Sequence, residues 1–142
     1  MKRVEYVAKW LVCAVALALA GCASPYTTAA ASLTAAERVV AEASRQWPAY
    51  SDAKRAAIVE QAASYDAGAA ALTEWNAKAD KVSAAIAGAH ATVKLGADGL
   101  QGVRDGLRDP KDLRRWITPA IRVGVDLIEL LAAFGLRLSG VL

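Results

Sequence analysis

Apolar and small residues recur every seven positions along the middle of this chain: Ile58, Tyr65, Leu72, Ala79, Ile86, Val93, Leu100 and Leu107. Three places after each of the first seven stand Gln61, Gly68, Trp75, Val82, Ala89, Gly96 and Val103. Alternating steps of three and four line one stripe of an α-helix, so the pattern predicts a long helix packed along a partner. Ser51 is its expected N-cap, with the helix starting at Asp52. Ile58, Tyr65, Leu72, Trp75, Val82, Ile86, Val93, Leu100, Val103 and Leu107 form the candidate assembly seam. Between the seams Ala56, Ala63, Ala70, Ala77, Ala84 and Ala91 make a stripe explained by helix propensity. Gly96, Gly99, Gly102 and Gly106 crowd one stretch; they predict either a bend or break there or a close approach by another helix.

The flanks read as shorter helices. Thr34 and Glu37 have the spacing of a capping box, predicting a first helix over 35–46 that Pro48 ends. Asp109-Pro110 and Thr118-Pro119 each place Pro after an N-cap residue, predicting a helical turn over 110–117 and a final helix over 119–139. That final helix is apolar over most of its circumference, with Arg122, Asp126, Glu129 and Arg137 in one narrow stripe. Asp126 and Glu129 lie near its middle, which disfavours a bilayer span. Packing on the long helix, or on copies of itself, is expected; lying in a membrane interface is the alternative. No stretch alternates apolar and polar over strand length, and alanine, the best helix former, makes up about a quarter of the chain. The fold class is all-α: a heptad-patterned helix with shorter flanking helices, as a helical hairpin or bundle or an oligomeric coiled coil.

The start of the chain follows another logic. Lys2, Arg3 and Lys9 precede a mostly apolar run over 10–20, too short to cross a bilayer and suited to a signal-peptide core. It ends in Leu19-Ala20-Gly21-Cys22, an aliphatic residue, two small residues and a cysteine. This run resembles the lipobox of bacterial lipoprotein precursors at all four positions. The resemblance implies cleavage between Gly21 and Cys22, a diacylglyceryl group on the Cys22 sulfur, and further acylation, palmitate among the acyl groups, on its freed amine. One chain holds only marginally and two or three hold stably. The expected organisation is a removed leader over 1–21, a lipidated flexible tether over 22–33 with Pro25 and few large apolar residues, and a helical domain over 34–142. Ala23 after the cysteine resembles the outer-membrane sorting pattern of Gram-negative lipoproteins. The expected location is the periplasmic side of the outer membrane, or the cell membrane in a host with only one.

Charge and chemistry narrow the function. The chain carries a formal +3, and Lys2, Arg3 and Lys9 less Glu5 take two of those charges with the leader. The remaining balance gives no basis for binding nucleic acid. Arg104, Arg108, Lys111, Arg114 and Arg115 interleave with Asp105, Asp109 and Asp112; a solvated helix face with (i, i+3) and (i, i+4) pairs is preferred to an anionic-lipid or cell-wall contact. His90 is the only histidine and reads as a surface residue. Asp98-Gly99-Leu100 and Asp105-Gly106-Leu107 echo the heptad, with no strand before them to make a phosphate loop. Neither a catalytic constellation nor a metal or cofactor site is expected. The expected function is a non-catalytic structural or protein-interaction role, held to the membrane by its lipid, with a homo-oligomer or an envelope protein as partner. A membrane-active role in lysis, fusion or pore formation, through the apolar C-terminal helix, is the alternative.

Overall fold

Three helices account for nearly all of residues 24–138, the part of the chain that the computed structural model describes. They are α1 (Pro25–Gln61), α2 (Tyr65–Arg104) and α3 (Leu113–Ala133), with a single 3₁₀ turn at Pro110–Asp112 before α3. No strand occurs among the described residues. At 1.5 Å per residue the helices are about 55, 60 and 31 Å long.

The segment expected to be a tether is instead the opening of α1. Ser24 caps it, its Oγ accepting from the Thr27 amide at 3.2 Å, and Pro25 follows at the first helical position. Thr28, Ala29 and Leu33 are buried, which anchors these turns to the body. The capping box at Thr34 does not form; the Thr34 hydroxyl donates to the Ala30 carbonyl, one turn back within the same helix. Pro48 does not end α1 either. Trp47, before it, is buried and its indole N–H reaches Ser83 Oγ on α2 at 3.1 Å. Tertiary packing thus holds the helical backbone that Pro48 disfavours locally. Ser51, the expected N-cap, is buried in the middle of α1.

The real break falls inside the heptad pattern. α1 ends at an extended Ala62, and Ser64 caps α2 by accepting from the Ala67 amide at 3.2 Å. The turn is tight: a Cβ on Gly68 would lie 3.0 Å from Ala62 Cβ. α2 then runs unbroken through Gly96, Gly99 and Gly102. It closes at Gly106, whose φ of +72° permits a Schellman motif. The Leu107 amide donates to the Gly102 carbonyl at 2.8 Å, and the Gly106 amide to the Val103 carbonyl at 3.1 Å. Asp109 caps the 3₁₀ turn as expected, through the Lys111 amide. Thr118-Pro119 starts nothing; Pro119 lies within α3, which begins at Leu113. Gly135, with φ of +76°, ends α3 by the same motif as α2.

α1 and α2 pack as an antiparallel hairpin, and α3 lies against both. Leu33 faces Gly96, Trp47 meets Ser83, and Arg55 Nε donates to Asn76 Oδ1 at 2.9 Å. The core takes Leu33, Val39, Val40 and Trp47 from α1, Val82, Ile86 and Val93 from α2, and Ile117, Leu127 and Leu131 from α3. The apolar face of α3 is covered by the other two helices, while Arg122, Asp126 and Glu129 stay exposed as the narrow stripe requires. No helix of the described residues is long and apolar enough to cross a membrane.

Candidate functional site

Of the residues singled out from sequence, Gly21 and Cys22 lie outside the described residues. Trp75, Val82, Ile86 and Val93 are buried on α2, and Leu72, Leu100 and Val103 are partly buried on the same helix. Apart from Leu72, these residues pack in one core with residues of α1 and α3 of the same chain. The remaining three fall elsewhere. Ile58 is on α1, Tyr65 opens α2 at 89% exposure, and Leu107 stands in the connection to α3 at 81% exposure. The alanine stripe, from Ala56 to Ala91 in steps of seven, is exposed throughout.

The glycines of α2 bring α3 close. A Cβ on Gly99 would lie 2.6 Å from Trp116 Cγ, and one on Gly96 would lie 3.2 Å from Ala120 Cβ. Gly124 of α3 rests on Ala36 of α1, with 3.6 Å available to a methyl group. Small residues therefore serve close approach between helices of one chain.

Where α3 ends, four rings close the three-helix section. Trp47, Tyr50, Trp75 and Phe134 all lie within ring contact of one another, from 5.2 Å for Trp47–Phe134 to 6.4 Å for Tyr50–Phe134. Edge-on pairs of this kind contribute roughly 0.5–1.5 kcal/mol each beyond their burial. The cluster draws one or two rings from each helix. Only the i, i+3 spacing of Trp47 and Tyr50 announces it in the sequence. Past it, α1 and α2 continue as an arm beyond the end of α3 to the turn at Ala62–Ser64, about 20 Å farther out, and the segment after α3 adds Leu136 and the buried Leu138 to the core. Val59, at 61% exposure, and Tyr65 stand on this arm.

A shallow groove of about 370 Å³ runs between α2 and α3, lined by Ala85, Gly88, Ala89 and Thr92 and by Val123, Asp126, Leu127 and Leu130. Its hydroxyl is already engaged, Thr92 donating to the Gly88 carbonyl at 2.9 Å. Asp126 is the one charged group lining it. His90 is exposed on α2. Among the described residues no three His, Cys, Asp or Glu side chains gather where they could hold a metal ion. The carboxyls held below their ordinary range lie on helix surfaces, not in the groove. Glu42 is drawn down to about 2 by hydrogen bonds from Arg45 and then Gln46, and Glu74 is lowered by Lys78.

The charged patch around the α2–α3 connection differs from expectation. Three ion pairs occur among the described residues, Arg45–Glu42, Arg55–Asp52 and Lys78–Glu74, and all belong to α1 or α2 outside the patch. Asp105 accepts instead from the Gln101 amide nitrogen, and Asp109 from the Lys111 backbone. Arg108 folds over Gly102 and stacks its guanidinium 4.1 Å from the Trp116 ring centre. No known family model, curated protein or solved structure matches this chain.

Proposed function

We propose that this protein is a lipid-anchored bacterial envelope protein, non-catalytic, that stands a stiff helical body on a bilayer and presents its two-helix arm away from it. The lipobox run ending at Cys22 supports the anchor. The observation that carries the reading is the position of α1, whose first helical residue, Pro25, comes three places after Cys22. With so little chain between, a lipid on Cys22 would hold the body at the surface without a swinging tether. An α-helix of 37 residues then reaches about 55 Å to the hairpin turn. The exposed Val59 and Tyr65 would meet an envelope partner at that height. The outer membrane is the proposed site, on the evidence of Ala23 after the cysteine.

The experiment is fractionation of cells producing the chain with and without Cys22→Ser, together with mass spectrometry of the purified protein. The expected result is an acylated Cys22 at the new N-terminus, in the membrane fraction. The variant should lose processing or leave the membrane. An unmodified Cys22 thiol, or a variant that stays membrane-bound at the wild-type mass, overturns the reading.

A further inference from the structure

The antiparallel register of α1 and α2 has a consequence at the start of the chain. Leu33 lies against Gly96, Trp47 bonds Ser83 and Arg55 bonds Asn76, so the two helices run in step along their shared length. Continued toward the chain start, this register sets Ser24–Pro25 level with Arg104–Asp105. The connection from α2 to α3 therefore sits at the same end of the bundle as the attachment point of Cys22, opposite the hairpin turn.

That connection has the chemistry of an interfacial surface. Arg104, Arg108, Lys111, Arg114 and Arg115 are all exposed, and no ion pair among the described residues engages any of them. Of the three acids nearby, Asp105 accepts from Gln101 and Asp109 from the Lys111 amide, so with Asp112 they set three negative charges against five positive ones. The patch keeps a net positive charge. Leu107 occupies the position after the Gly106 cap whose apolar side chain usually folds back on the helix. Here it projects into water at 81% exposure, in a connection whose flanking sequence carries the five cations. An exposed apolar tip beside cations that no carboxylate pairs fits the boundary between headgroups and acyl chains of an anionic bilayer.

We infer that the α2–α3 connection is a second membrane contact, in which Leu107 enters the bilayer boundary and Arg104, Lys111 and Arg114 meet anionic lipid headgroups. The contact fixes the tilt of the bundle, because a lipid at one point leaves the body free to lean and a second point beside it does not. The inference rests on the lipid-anchor reading for its geometry, although the contact itself needs no acyl chain.

The test places a benzophenone amino acid at position 107 of the full chain, purified as the cell makes it and mixed with vesicles. One set is phosphatidylcholine alone and the other contains phosphatidylglycerol. After irradiation, lipid adducts are counted by mass spectrometry, with position 63 in the hairpin turn as the comparison. The expected result is a lipid adduct at position 107, far more abundant in the anionic vesicles, and little at position 63. Replacing Arg104, Lys111 and Arg114 by Gln should lower the yield, by up to about fivefold for each cation removed. Arg108 is left intact because it packs on Trp116, and circular dichroism checks that the variant keeps its helices. Equal yields at the two positions, or equal yields in the two vesicle types, overturn the inference. The acylation state of Cys22 is read from the same spectra. A lipid adduct on a chain with a free Cys22 thiol sinks the anchor and keeps the contact, whereas an acylated chain without an adduct does the reverse.

Discussion

Gly88 and Gly99 stand on the same helix and differ in what a methyl group would meet. At Gly88 a Cβ finds open space, so Gly88→Ala adds helix propensity without a clash and should stabilise the protein by about 0.5–1 kcal/mol. At Gly99 the same carbon would lie 2.6–2.9 Å from three atoms of Trp116. Gly99→Ala must push that ring off α2 and should cost about 1–3 kcal/mol, as overpacking does. Urea denaturation of the two variants should move the midpoint in opposite directions. Glu42 gives a test in pH. Its carboxyl is lowered from 4.5 to about 2 by Arg45 first and Gln46 second, so its contribution is present above the unfolded value and is lost as pH falls through the folded one. The stability difference between the wild type and Glu42→Gln should therefore be constant at neutral pH and shrink between pH 4.5 and about 2. Thermal melts across that range check it. A difference that grew on acidification would contradict the assigned partners.

At the scale of the element, helical class and the buried stripe of α2 were legible because seven-residue spacing and burial share one geometric cause. The ends of the helices were not. Ser64 and Asp66 are an ordinary helix start, yet Ile58, Tyr65 and Leu72 keep the heptad phase straight across the turn and conceal it. Pro48 and Pro119 are strong local stops, overridden where neighbours are fixed from outside: Trp47 by Ser83 and the ring cluster, Ile117 by the core. The clustered glycines read equally as a hinge or a contact, and only the Trp116 ring over Gly99 decides for the contact. The lipidation candidate Cys22 lies outside the described residues, so the bundle neither supports nor opposes it. The opening of α1 supplies the sharpest test at this scale. Leu33, the last residue of the expected tether, is 4% exposed and lies against Gly96. Leu33→Ala should cost about 2–4 kcal/mol in chemical denaturation, as a buried leucine does. A tether residue would be silent.

For the whole molecule the question is whether one chain satisfies its own apolar surface. The heptad stripe that suggested a partner helix is covered by α1 on one side and α3 on the other. If that internal covering suffices, the chain folds without a second copy. The unfolding midpoint of the chain produced without residues 1–22 should then be independent of protein concentration, whereas an obligate oligomer would melt higher when concentrated. The shape is the second half of the same argument. A compact globule of about 120 residues has a radius of gyration of roughly 13–14 Å. α2, with 40 residues, makes the body about 60 Å long, its first turns forming the arm beyond the ring cluster. A rod of that length should give a radius of gyration of about 17–19 Å in small-angle scattering, at the mass of a single chain. A value near that of a compact globule would mean that the arm folds back on the body, and would remove the height that the proposed spacer role requires. A doubled mass would return the seam, or the exposed arm with Val59 and Tyr65, to an assembly role.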